Sequence, residues 1–465
     1  MNNRREFILG TVLAGAALPL AKGAAANKPA VPANPLIYPM RPMKADTSRE
    51  LTVAVVGAGS RGNVYQSYGK KFPGTMKVVA VADINEYRRN RMADAWGVPP
   101  ERRFGDYREL IQAGKGGKLA DILLVTLPDS LHYDAAMRGM EQKYDVLVEK
   151  PMAQSSKECL DMLAKQRETG CIVGVCHVLR YAPYFEAMKS AIDRGLIGEI
   201  MSIQHTELVD FTHTSHSYVR GNWRNSKIAT PMVISKCCHD LDLINWFVGA
   251  RCTHASAEGE QRYFCAKNRP AGAPARCTDG CPHEKDCIYS AIKTYVKRRN
   301  WTGPLDLPPR ATDEQVTKIL AASPYSRCVF ACDNDQPEQY AAALRFENGV
   351  SVAFSYEALS PVGQRRTRII GTKGMLEGGG IGFRFSEIAT GKFWDWNMKV
   401  QDVPGYERQG HGGGDLRLMR DFLLAVDKRD PSMLTSSLEA SVESHLIGFA
   451  CEESRLTGRK IKIHG

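Results

Sequence analysis

Hydrophobic residues in the first third of the chain fall into short runs separated by longer amphipathic stretches. Residues 51–56 (Leu-Thr-Val-Ala-Val-Val), 77–82, 121–126, 145–148 and 171–178 are rich in Val, Ile, Leu and Ala and are too short for buried helices. Between them, residues 64–71, 86–96, 107–113, 131–141 and 155–167 read as helices. The last of these opens with Ser155 and Glu158 at capping-box spacing. Strands alternating with helices predict an α/β fold with a doubly wound parallel sheet. In such sheets ligands bind beyond the carboxyl ends of the strands. Gly57, Asp83, Pro128 and Lys150 all fall at such ends. Later, residues 416–426 read as another helix, preceded by His411-Gly412-Gly413-Gly414-Asp415, which reads equally as a sugar-contacting loop or as a helix-entry turn capped by Asp415.

The first strand runs into Gly57-Ala58-Gly59-Ser60-Arg61-Gly62, a G-x-G-x-x-G followed by a helix, and Asp83 ends the next strand about twenty positions further on. The glycines allow close backbone approach to a pyrophosphate at the helix N-terminus. Asp83 is placed to accept hydrogen bonds from an adenosine ribose. Its charge disfavours a 2′-phosphate, so NAD is expected rather than NADP, although Arg88 and Arg89 lie close enough to modify that preference.

The chain has 465 residues, 43% of them hydrophobic and 24% charged, which excludes wholesale disorder and predicts two or three domains. The net charge of +11 comes from scattered basic residues without an aromatic-interleaved stripe, so no nucleic-acid partner is expected. No apolar run has the length of a membrane span. Arg4-Arg5, an apolar stretch to Leu20 and then Gly23-Ala24-Ala25-Ala26 have the form of a twin-arginine export signal, with cleavage after Ala26 and a periplasmic destination. The expected order is a signal (1–26), an extended Pro-rich lead-in (27–48), a dinucleotide domain (49–178) and an α+β domain (179–465).

These motifs, with Thr126-Leu127-Pro128-Asp129 and His132, Glu149-Lys150-Pro151, His177-Val178-Leu179-Arg180-Tyr181 and Cys238-His239-Asp240-Leu241-Asp242, resemble the Gfo/Idh/MocA oxidoreductase family. The resemblance implies a Rossmann domain followed by an α+β domain with a large, open, mostly antiparallel sheet that often mediates homo-oligomer contacts. It implies NAD as cofactor and a sugar, polyol or glycoside as substrate, oxidised or reduced at a secondary carbinol. The dinucleotide-facing set is Gly57, Gly59, Ser60, Arg61, Gly62, Asp83, Thr126, Pro128, His132, Glu149 and Lys150. Lys150 takes the position of the family's catalytic lysine, where an ammonium orients the hydroxyl. His239 is the natural proton acceptor. With Lys236 at −3 and Asp242 at +3, a helix would place all three on one wall. Arg180, Tyr181, Asp240 and Asp242 are expected on the substrate side. The leading reading is an exported NAD-dependent dehydrogenase with tightly held cofactor. The alternative is an NAD-dependent glycosidase using transient oxidation, elimination, hydration and re-reduction.

A Cys-rich insertion spans residues 264–300, with Cys265, Cys277, Cys281 and Cys287 at spacings x11, x3 and x5. Disulfides, a structural metal or cluster, and unpaired packed thiols all remain open. No metal is assigned to the active site.

Overall fold

The computed structural model describes residues 34–114, 117–403 and 410–464. The export-signal pattern lies outside the described residues. Six parallel strands form the first sheet: β1 (Leu51–Val56), β2 (Met76–Ala82), β3 (Arg103–Phe104), β4 (Ile122–Val125), β5 (Asp145–Val148) and β6 (Val173–Val175), in the order β3-β2-β1-β4-β5-β6. The helices α1 (Ser60–Lys71), α2 (Glu86–Trp96), α3 (Tyr107–Gln112), α4 (His132–Glu141) and α5 (Ser156–Thr169) connect them. The central strands β1, β4 and β5 are apolar along almost their whole length because both faces are covered.

Two local expectations are corrected. Ser155 does cap α5 by accepting from Glu158 N (3.2 Å), but the Glu158 carboxylate reaches Gln154 N (2.8 Å) rather than closing a reciprocal box. The strand expected over 171–178 contracts to β6, and the chain turns at Val178–Tyr181.

The second layer opens with α6 (Pro183–Asp193), β7 (Ile200–Asp210), α7 (Phe211–Thr214), α8 (Met232–Ser235), α9 (Cys238–Val248) and β8 (Cys252–Glu260). After α10 (Asp313–Ala322) come β9 (Gln339–Phe346), β10 (Ser351–Ser360), β11 (Gln364–Gly371), β12 (Gly374–Gly379), β13 (Gly382–Glu387) and β14 (Phe393–Asn397). Then follow α11 (Gly414–Lys428), α12 (Leu438–Thr457) and β15 (Ile461–Lys462). The nine strands pair as β14-β13-β12-β11-β7-β10-β9-β8-β15, antiparallel except for β7 with β10. β9 and β10 alternate buried and exposed residues strictly, as expected of a sheet with one face on the core.

The chain does not leave the first sheet at a single point. Leu418, Met419, Phe422 and Leu423 of α11 pack with Leu51, Val53 and Val55 of β1, so the C-terminal region returns to cover the parallel sheet. Within the lead-in, Leu36 is buried in the second core, and Ala45 N donates to Tyr68 Oη (2.7 Å).

Candidate active site

The crevice is built from backbone first. Gly57 has φ +97°, and a Cβ there would stand 2.4 Å from Thr126 O. A Cβ on Gly62 would stand 2.3 Å from Gly57 O, so this glycine lets α1 start directly against the β1 turn. Gly59 is different: nothing lies within 3.9 Å of its Cβ position, and it caps α1 without a side-chain hydrogen bond. The first amides of α1 therefore face the crevice unserved by any capping side chain. Thr126 Oγ1 donates to Gly57 O (2.6 Å) and ties the β4 end to this turn. The Asp83 carboxylate accepts from Ala58 N (2.7 Å) and Asn85 N (2.8 Å), which fixes its plane at the end of β2.

At the end of β5, Glu149 is buried and accepts from Arg61 Nε (2.5 Å), Tyr65 Oη (2.8 Å) and Lys150 N (2.9 Å). Burial works against its charge, but Arg61 and Lys150 overcome that and hold the carboxyl below its ordinary range. Lys150 itself is half-buried and donates Nζ to Ser235 O (2.8 Å) at the end of α8. This contact brings the lysine to the entrance of α9, where His239 sits. His239 is 4% exposed, and its Nδ1 has no hydrogen-bond partner. Burial, then Lys150, His411 and His177, push its pKa well below the usual imidazole value, so the ring is neutral and able to accept a proton.

His411 faces His239 with ring centroids 5.8 Å apart. Its Nδ1 lies 3.1 Å from Asp415 Oδ1, and Asp415 also receives Arg61 Nη2 at 2.7 Å. His411 adopts φ +48°, a left-handed conformation uncommon for a non-glycine residue, and Gly412 and Gly413 follow it at positive φ. The three-glycine stretch is thus the turn that delivers an imidazole–carboxylate pair to the same pocket. In the sequence this stretch was legible only as a sugar-contacting loop or a helix-entry turn.

The predicted shared wall of Lys236, His239 and Asp242 is not formed. α9 begins only at Cys238, so Lys236 lies in the preceding turn and pairs with Glu207 (2.9 Å). Asp242 is taken up by Arg180 through two contacts of 2.6 and 2.7 Å. Asp240 is fully buried between His205 Nε2 (2.9 Å) and Arg365 Nε (2.7 Å), which outweigh burial and keep it ionised. Tyr181 Oη bonds Ser436 Oγ (2.9 Å). Arg180, Tyr181, Asp240 and Asp242, expected on the substrate side, are therefore buried and paired with protein groups. His132 is likewise buried, its ring spanning Leu127 O (2.8 Å) and Pro151 O (2.7 Å). It braces two loops of the crevice from behind. Pro128 and Ser60 are exposed at the rim.

Residues 51–177 match the Gfo/Idh/MocA oxidoreductase family, NAD-binding Rossmann fold, and residues 189–463 match its C-terminal alpha/beta domain. The chain belongs to the Gfo/Idh/MocA oxidoreductase family. Bacillus subtilis YteT, an oxidoreductase by name, is 24% identical over 359 residues, which are 75% of this chain and 82% of YteT. The inositol 2-dehydrogenase of Rubrobacter xylanophilus is 27% identical over 213 residues, 44% of this chain and 54% of its own length. An inositol dehydrogenase homolog from Azotobacter vinelandii, solved with NADH and myo-inositol, superposes with a TM-score of 0.65 at 16% identity, covering 90% of this chain and 99% of its own. Levoglucosan dehydrogenase with NADH and levoglucosan gives a TM-score of 0.64 at 17% identity, covering 90% and 100%. At those identities the likeness shows the fold.

The crevice fits the cofactor of this Gfo/Idh/MocA member. The open face of Gly59 and the uncapped amides of α1 suit a pyrophosphate, and each Asp83 oxygen retains a lone pair for a ribose hydroxyl. Arg88 is held by Asp306 (2.6 to 3.0 Å), and Arg89 donates to Asp83 O (2.7 Å). These contacts engage Nε and Nη2 of Arg88 and Nη1 of Arg89 with protein acceptors. Asp306 belongs to the segment after the Cys-rich insertion and also accepts from Asn85 Nδ2 (3.2 Å), so it ties that segment to the start of α2 beside Asp83. Trp301 of the same segment stacks on His213 (centroids 4.7 Å). Burial, then Lys236, His216 and Lys150, push His213 down to about 2, which places it near the lysines of the pocket as a neutral ring.

Proposed function

We propose that this protein is a dehydrogenase that moves hydride between NAD and a secondary carbinol of a sugar or polyol. The observation that carries the reading is the convergence of Lys150, from the end of β5, with His239, at the start of α9, beside the open N-terminus of α1. Bound NAD supplies the hydride acceptor. Lys150 directs its ammonium at the substrate oxygen and stabilises the alkoxide character that develops as the C–H bond weakens. His239, neutral and with an unpartnered Nδ1, takes the hydroxyl proton. Glu149 and Arg61 hold Lys150 in place from the backbone side. The inositol and levoglucosan dehydrogenases similar to this chain support a polyhydroxylated substrate. The Arg88–Asp306 contact beside Asp83 supports a cofactor retained between turnovers, which suits an exported enzyme; the twin-arginine pattern at residues 4–26 supports export.

One observation favours a second reading. His411–Asp415 gives the pocket a second proton-handling pair next to His239. Elimination and hydration at a transiently oxidised glycoside need two such groups, as in the glycosidase alternative. The test begins by denaturing the purified full-length protein and identifying the released dinucleotide. A panel of polyols, sugars and nitrophenyl glycosides is then tried with and without added NAD. NADH formed in proportion to a keto product supports the dehydrogenase. Steady nitrophenol release with no net NADH transfers support to the glycosidase. No dinucleotide and no turnover on any compound overturns both.

A further inference from the structure

The site above uses none of the cysteines of the insertion. Cys277, Cys281, Cys287 and Cys328 nevertheless line one small cavity, of about 20 Å³, together with Arg220 and Glu284. A cavity needs ~10–15 Å³ to hold a single water-sized body, so this one admits one ion and little else. Three of the thiols come from the sequence C-x3-C-x5-C, and the fourth arrives about forty residues later.

Arg220 is the second observation, and it points to an anion in this cavity. It is 1% exposed. Its guanidinium donates to Arg327 O (2.7 Å), Tyr289 O (2.7 Å) and Cys277 Sγ (3.8 Å), and no carboxylate among the described residues forms an ion pair with it. Glu284 lines the same cavity without reaching it. A buried cation without counter-charge is costly. Neutral thiols do not supply that charge. Thiolates bound to a metal do supply it.

We propose that Cys277, Cys281, Cys287 and Cys328 form a tetrathiolate site for one thiophilic divalent ion, zinc in the first instance, which anchors the insertion. Four sulfur donors with no open position suit a structural Zn²⁺. Binding exchanges four S–H bonds for four S–metal bonds and releases four protons to solvent. The resulting centre carries two negative charges, and Arg220 offsets one of them. Among the described residues no three His, Cys, Asp or Glu side chains already surround a common point. The four cysteines stand in the cavity wall, so the proposed site requires their side chains to turn inward. His283 is not required, because its Nε2 already faces Ala271 O (2.7 Å).

The insertion needs such an anchor. Among the described residues, the apolar side chains of the insertion and of the segment that follows it to Phe330 form only two small clusters, one around Tyr295, Val316 and Leu320 and one around Phe264, Tyr289 and Phe330, apart from the main cores. Cores of that size rarely hold a segment without a staple. The same segment carries Trp301 and Asp306 to the coenzyme crevice, so the ion would fix the cap of the active site from outside it. This inference does not depend on which reaction the site performs.

The experiment is metal analysis of the full-length protein purified without added metal and dialysed against a weak chelator. About one zinc per chain is expected, released in full as an organomercurial titrates four thiols. Cys281→Ser with Cys287→Ser should lower the content at least tenfold. Cys332→Ser, outside the cavity, should leave it unchanged. A metal-free protein whose intact mass lacks thiol hydrogens would mean disulfides and overturn the proposal. A metal-free protein with these thiols reactive in the native state would overturn it too. If the double variant does not fold, the mercurial titration of the wild type decides.

Discussion

Lowering the pH from 7.5 to 5.5 should destabilise this protein by several kcal/mol, because it buries imidazoles whose charged form is disfavoured where they sit. His177, His216, His239 and His445 are each at most 5% exposed. Burial pushes His216 down to about 4 and His445 to about 3, and pushes His177 and His239 well below the ordinary value. The reason is explicit at His445. Its Nδ1 faces Ser441 O (2.8 Å) and its Nε2 accepts from Met152 N (3.0 Å), so a second ring proton would collide with a donor. A folded pKa below the unfolded one means that the unfolded chain binds the proton first. The stability is therefore fully present above about pH 6.5 and is lost as pH falls below it. For each histidine the loss between pH 7.5 and 5.5 is RT ln 10, about 1.4 kcal/mol, and for four together it is roughly 5–6 kcal/mol. Asp242, which burial pushes up although Arg180 opposes this, works in the other direction. Urea unfolding followed by tryptophan fluorescence and far-UV circular dichroism at half-unit steps measures the slope. His445→Gln, which keeps an acceptor for Met152 N, should flatten it by about one histidine's share. A total loss below about 1.5 kcal/mol would show that these rings do not remain neutral in the fold, and the reasoning would fail.

Lys150→Met should reduce kcat by about 10²–10³, the size of one lost oxyanion donor, while the dinucleotide remains bound. Absorbance of the reduced nicotinamide in single turnover measures the first, and analysis of the denatured protein the second. Asp83→Ala should weaken NAD and narrow the preference over NADP, read from KM for the two cofactors; an unchanged ratio would remove Asp83 from the ribose site. Gly57→Ala combines φ +97° with a Cβ 2.4 Å from Thr126 O. It should cost about 1–3 kcal/mol or more and empty the crevice of dinucleotide, and calorimetry with bound-cofactor analysis tests both. Asp306→Ala should speed dinucleotide loss on dialysis without changing secondary structure; equal retention would show that the Arg88–Asp306 contact does not hold the cofactor.

The parallel sheet and the coenzyme crevice were legible because their signals are local. A four-to-six-residue apolar run has one geometry available when both faces are covered, and G-x-G-x-x-G followed by an acidic strand end fixes the turn, the helix start and the place of Asp83 at the end of β2 within thirty residues. His239 and Lys150 could be read as a pair from their motifs. The wall of Lys236, His239 and Asp242 could not, because it assumed a helix through Lys236. The chain instead turns there, so that Lys236 meets Glu207.

Partners contributed by distant elements were set by tertiary structure alone. Arg365 on β11 reaches Asp240 on α9, Arg180 closes on Asp242, and Asp415 of α11 binds Arg61 of α1 across 354 positions of sequence. Buried charges require partners, but the residue that supplies each one depends on which elements pack together, and spacing along the chain does not record that. The same holds for the insertion: its cysteines were visible in the sequence, but only packing put Cys277, Cys281 and Cys287 in the wall of one cavity with Cys328 and the buried Arg220. Sequence thus determined the kind of coenzyme site and where it begins. Folding decided which charges meet there, because a side chain's electrostatic partner is chosen by proximity in space.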